Sequence, residues 1–142
     1  MKIGVSACLL GDNCKYNGGN NLSSALVEKL KDVEVVKICP EVMGGLSIPR
    51  DPAEIVKGEV ITNKNVSVDD EFRRGAALAV DLFKKEGVDF VISQPRSPSC
   101  GKGEIYDGSF RGRLINGDGI FVSLAKKEGI KVISPVDFIE NY

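Results

Sequence analysis

Histidine is absent from this 142-residue chain, so no imidazole is available as general base, proton shuttle or metal ligand. Any soft-metal site must then be built from sulfur. Charge of one sign is equally scarce: 19 Lys and Arg stand against 20 Asp and Glu, leaving −1 at neutral pH. No basic field exists to hold a long nucleic acid through phosphate neutralisation. The longest apolar run falls far short of the roughly 20 residues of a bilayer span, so no membrane partner is expected. Met1-Lys2 leads straight into a strand-like segment without the apolar length of a signal peptide. A cytoplasmic location is expected, where thiols stay reduced. Neither G-x-x-x-x-G-K-[ST] nor G-x-G-x-x-G occurs, and there is no C-x-x-C. These absences remove the phosphate-loop, dinucleotide, zinc-ribbon and thioredoxin signatures.

What is present reads as a globule. Hydrophobic residues at 42% and charged residues at 27% suit one domain over residues 1–142 with a single sizeable core. Residues 2–7, 33–38, 88–92 and 130–133 read as short strands, with 59–62 as a small extra one. Helical periodicity covers 22–30, 69–86, 119–128 and a short segment at 135–140. Asp69-Asp70-Glu71 suits a helix start, Lys84-Lys85 its last turn, and Gly87 its stop. Residues 40–52, with Gly44-Gly45, Pro49 and Pro52, read as too punctuated for regular structure, as does 94–116. The alternation predicts a three-layer, Rossmann-like α/β domain with a mainly parallel sheet of about four strands. The long loops 40–68 and 93–117 mark function, since compact domains seldom carry loops of that length otherwise.

Four cysteines punctuate this pattern. Cys8 and Cys39 each follow a predicted strand, Cys100 lies in the loop after the third, and Cys14 sits in the Gly/Asn-rich loop behind Cys8. Parallel strands present their carboxyl ends to one crevice, so three thiolates distant in sequence converge there. A free cysteine is also an ordinary small core residue, and four could pair as two disulfides, which a cytosolic domain of this size does not need. Sulfur without histidine points to an iron–sulfur cluster or a thiolate-held metal. Beside these, Lys15, Tyr16 and Asn17 lie in a turn-rich loop suited to a small anion or a planar ring. Glu41, two residues past Cys39, is either a solvated loop carboxylate or an acid/base group. Ser97 and Ser99 flank Pro98; they either build the turn or, for Ser97 in the extended conformation that precedes proline, face the crevice. Arg50, Asp51 and Glu54 read as a structural ion pair in preference to a substrate clamp, and Arg96, Arg111 and Arg113 suit either a polar ligand or solvent.

Several of these segments together resemble the small bacterial and archaeal domain family, long labelled as of unknown function, that includes the 2-thiouracil desulfurases. The matching residues are Ser6-Ala7-Cys8-Leu9-Leu10-Gly11 with Cys14-Lys15-Tyr16-Asn17-Gly18; Cys39-Pro40-Glu41-Val42 with Gly44-Gly45-Leu46, Pro49-Arg50, Pro52 and Glu54; Ser97-Pro98-Ser99-Cys100-Gly101; and Asp107-Gly108-Ser109-Phe110. The resemblance implies an oxygen-sensitive [4Fe-4S] cluster held by only three cysteines, by position Cys8, Cys39 and Cys100, and lost on aerobic handling. The remaining iron would take the sulfur of a small thiolated nucleobase. C=S would become C=O by attack of water, with sulfur held briefly on the cluster and released as hydrosulfide, without net redox change or external cofactor. Glu41 would handle protons, and Ser97 or Ser99, with Ser97 favoured, would position water or substrate. Cys14 would lie outside the ligand set, near the mouth of the pocket. Gln94 stands where such proteins often carry lysine, and Asn17 where aspartate is common. Two other readings stay open: a closed, non-catalytic metal or cluster module, and a nucleotide-binding domain without a cluster. The sequence leaves the oligomeric state open.

Overall fold

The computed structural model describes residues 1–142. In chain order the elements are β1 (Lys2–Ser6), α1 (Ser24–Lys29), β2 (Glu34–Ile38), α2 (Pro40–Met43), β3 (Ala53–Val56), β4 (Glu59–Thr62), α3 (Asp69–Glu86), β5 (Phe90–Ile92), β6 (Glu104–Tyr106), β7 (Leu114–Asn116), α4 (Ile120–Lys127), β8 (Val132–Ile133) and α5 (Pro135–Asn141), with a 3-10 turn over Ala7–Leu10. Strands β2, β1, β5 and β8 lie side by side in that order, all parallel. The four predicted strands are these four, and helices cover both faces.

The core has two halves, one per face. Phe83, Ala76, Ala79 and Val80 of α3 and Phe121, Val122 and Ala125 of α4 pack on Val91 and Val132. Leu26 of α1 and Phe138 of α5 pack on Ile3, Val5, Phe90, Ile92 and Ile133. The odd and even residues of β5 thus divide between the faces, as the two-residue period of a strand requires. α3 starts on three acids, ends on Lys84 and Lys85, and is closed by Gly87 at φ 67°, as its sequence predicts.

The long loops 40–68 and 93–117 hold four elements beyond the expected β4. α2 is a four-residue helix with Pro40 in its first turn. It is held by contact, not propensity: a Cβ on Gly75 of α3 would stand 1.7 Å from the Pro40 carbonyl oxygen, and one on Gly44 would stand 1.9 Å from that of Glu71. Only glycine at both points lets the backbones meet, and that seats Cys39 and Glu41 against α3. β3 and β4 form an antiparallel hairpin, of which the sequence marks only β4, and β6 and β7 form a second. β7 escapes detection because two of its three residues are exposed, leaving no apolar alternation to read.

Candidate functional site

The chain passes from β1 to β2 on one side and later places β5 on the other, so the sheet order reverses at β1. A cavity of about 680 Å³ opens at the carboxyl ends of these strands, where open α/β sheets bind ligands. Cys8, Cys39 and Cys100 all line it. Cys8 enters on the 3-10 turn directly after β1, Cys39 caps the start of α2 directly after β2, and Cys100 comes from the loop that follows β5.

Cys14 departs from expectation. It is 9% exposed, lines the same cavity, and its carbonyl accepts from the Cys39 thiol at 3.8 Å. Its neighbours Cys39 and Cys8 push the Cys14 thiol up, and Cys14 pulls both of theirs down. Cys8 falls to about 7, helped by the Asn21 carboxamide 3.4 Å away and opposed by burial. Cys39 also falls to about 7 against burial, with smaller pulls from the Val42 N–H and Arg50. Burial pushes Cys100 up to about 12 despite the hydroxyls of Ser6 and Ser99. Cys8 and Cys39 are thus the two thiols biased toward thiolate, the form that binds metal. No three side chains are arranged around a point that would hold a single ion. A sulfur-only donor set spread around a roomy cavity suits a multi-iron cluster, which offers a separate iron to each thiolate, better than tetrahedral zinc, whose sulfurs must all lie about 2.3 Å from one atom.

Beside the cysteines runs a directed chain of hydrogen bonds. The Ser97 hydroxyl accepts the N–H groups of Ser99 (3.0 Å) and Cys100 (2.9 Å), so its only proton is left for Ser99 Oγ at 2.9 Å. Ser99 Oγ in turn donates to Glu41 Oε2 at 2.8 Å. The other carboxylate oxygen, Oε1, accepts from Arg50 Nε at 3.0 Å, in a pair whose side chains are only 8% (Arg50) and 15% (Glu41) exposed. Glu41 is thus neither solvated nor on a loop; it belongs to α2. Ser97 builds the turn that carries Cys100 and also lines the cavity.

Arg50 is the residue sequence reasoning undervalued. Its guanidinium also donates to the carbonyls of Cys14 (2.8 Å) and Ser47 (3.2 Å), and its N–H to that of Tyr16 (2.7 Å). It therefore stitches loop 11–21 to loop 40–52; the Pro49-Arg50-Asp51-Pro52 punctuation was the only signal. Lys15 and Tyr16 line the cavity as expected. Asn17 does not, because its carboxamide oxygen accepts the Gly19 N–H at 2.9 Å and shapes the loop. Asn21, Arg96, Tyr106 and Phe110 also line the cavity, while Glu54 accepts two N–H groups of the β6–β7 loop. No helix is long and apolar enough to cross a membrane.

The family model for 2-thiouracil desulfurase matches residues 3–137. The uncharacterized protein YbbK of Bacillus subtilis (strain 168) is 37% identical over 140 residues, covering 92% of this chain and 93% of its own. The solved structure of the [4Fe-4S]-dependent thiouracil desulfidase TudS is 40% identical and superposes with a TM-score of 0.92, covering 98% of this chain and 93% of TudS.

Proposed function

This chain belongs to the 2-thiouracil desulfurase family, and from that premise we propose that it is a [4Fe-4S]-dependent desulfurase replacing C=S by C=O in 2-thiouracil or a related thiolated pyrimidine, with release of hydrosulfide. The observation that carries this reading is the meeting, in one cavity, of Cys8 and Cys39 from two strand ends and Cys100 from the loop after a third with the Arg50–Glu41–Ser99–Ser97 chain. Cys8, Cys39 and Cys100 would hold the cluster, in a reducing compartment such as the cytoplasm.

Bound there, the cluster would supply Lewis-acid polarisation of the C=S bond. The protein supplies the rest. Glu41, fixed at both oxygens by Arg50 and Ser99, takes the proton of the water that attacks the ring carbon. Ser99 and Ser97 keep that carboxylate in one orientation, and their backbone-anchored turn fixes the distance between Cys100 and Glu41. Cys14, whose thiol is pushed up by its neighbours Cys39 and Cys8, stays outside the ligand set. Lys15 and Tyr16 bind the substrate at the mouth.

Cys14 also favours a second reading. A fourth thiol lining the same cavity would serve as a fourth ligand in a closed, non-catalytic centre. Anaerobic reconstitution with iron and sulfide, followed by incubation with 2-thiouracil, separates the two. Uracil and hydrosulfide in equal amounts support the desulfurase; a loaded protein that releases no sulfide from any thiolated pyrimidine supports the closed centre.

A further inference from the structure

Four non-glycine residues have positive φ: Lys57 (50°), Asn65 (60°), Arg96 (68°) and Phe110 (57°). Lys57 and Asn65 lie in turns that flank β4, where such a conformation is common. Arg96 and Phe110 line the cavity, and a bulky aromatic in the left-handed region is an outlier of the kind that collects at functional sites.

The structure shows what holds Phe110 there. Glu54, on β3, accepts with one oxygen both the Gly108 N–H (2.9 Å) and the Phe110 N–H (3.2 Å). Gly108 lies directly on that strand, since a Cβ there would stand 2.7 Å from the Ile55 carbonyl oxygen. Asp107 closes the loop on itself, accepting the Ser109 N–H at 2.9 Å. The ring so displayed belongs to none of the apolar clusters, and the residue stays 38% exposed. Tyr16, 41% exposed, lines the same cavity from loop 11–21. The fold thus holds a ring at the cavity wall that contributes nothing to the core.

We propose that Phe110 is the platform on which the thiolated pyrimidine stacks, and that Glu54 is the positioning residue that holds it there; this rests on the desulfurase reading above. Stacking on a heteroaromatic face does not depend on the bond being broken. It therefore contributes equally to ground and transition states and appears in KM and not in kcat.

The test is steady-state kinetics of reconstituted protein with 2-thiouracil, with iron content measured alongside. Phe110→Ala is expected to raise KM by about 5- to 150-fold, the range of base–aromatic stacking, with kcat within about threefold and iron unchanged. Phe110→Tyr is expected to restore KM. Glu54→Ala is expected to approach the KM of Phe110→Ala and to add little in the double variant. Glu54→Gln keeps an acceptor oxygen and is expected to stay near wild type; it replaces Glu54→Ala if that variant does not fold, and a KM raised as far as in Phe110→Ala would then overturn the role of Glu54. An unchanged KM for Phe110→Ala in a protein whose wild type turns over, or a full additional effect of Glu54→Ala in the Phe110→Ala background, overturns the proposal while leaving the desulfurase reading intact. A loaded wild type that releases no sulfide overturns both.

Discussion

Replacing Gly75 by alanine sets two effects of opposite sign against each other. Gly75 is in the interior of α3, where alanine gains about 1 kcal/mol in helix propensity. The added Cβ would stand 1.7 Å from the Pro40 carbonyl oxygen and 2.7 Å from its carbon, half to four-fifths of the 3.4 Å at which ordinary contact begins. The oxygen cannot swing aside freely, because it accepts the Gly44 N–H at 2.9 Å inside α2. Relief requires α2 to lift off α3, the overpacking case that costs about 3 kcal/mol at the upper end of its usual range. The net expectation is a loss of about 2 kcal/mol, or about 6 °C in Tm for a chain of this size, read as a lower urea midpoint at unchanged slope. kcat should fall as well, since α2 carries Glu41 and Cys39 enters on it. Ala77→Gly, at an exposed position of the same helix, calibrates propensity alone at about 1 kcal/mol lost. A Gly75→Ala protein as stable as wild type or more so would refute the close crossing of α2 on α3.

Other consequences follow from the same geometry. Arg50→Met leaves the Glu41 carboxylate largely buried without its cation and releases two loops, so a stability loss of about 3 kcal/mol or more is expected in urea unfolding; a loss below about 1 kcal/mol would show the pair to be a surface one. Ser99→Ala removes the donor to Glu41 Oε2 and is expected to lower kcat about 10²-fold with little change in KM; a KM effect alone would place Ser99 in binding. Burial raises the Asp69 carboxyl, but the Arg73 side chain and the Val60 N–H outweigh it and hold it below its ordinary 3.8. Its contribution to stability is therefore present above about pH 4 and disappears as pH falls through the folded value. Asp69→Asn should flatten the acid limb of the stability curve there, and an unchanged limb would contradict the assignment.

The parts of this structure legible in the sequence are those governed by local pattern. α3 is written in its acids, its lysines, its apolar stripe and Gly87, and two strand ends are marked by Cys8 and Cys39, each of which stops a strand-like run. From those ends the crevice follows by topology alone. What stays hidden depends on contacts remote in sequence. α2 exists because Gly44 and Gly75 meet, β7 faces solvent, and the Glu41–Arg50 and Glu41–Ser99 bonds join residues that no local rule connects. Cys14 is the sharpest case: six residues after Cys8, it reads as a loop thiol at the mouth, whereas folding of the loop under Arg50, which holds the Cys14 carbonyl, buries it in the cavity wall.

That placement makes the ligand set the point to measure first. Each cysteine is changed to serine singly, the proteins are reconstituted anaerobically with iron and sulfide, and iron per chain and sulfide release from 2-thiouracil are counted. The expected result is about four irons and retained turnover for Cys14→Ser, with both lost in Cys8→Ser, Cys39→Ser and Cys100→Ser. Loss of iron in Cys14→Ser to the same extent as in the other three would contradict a three-cysteine site with an open iron.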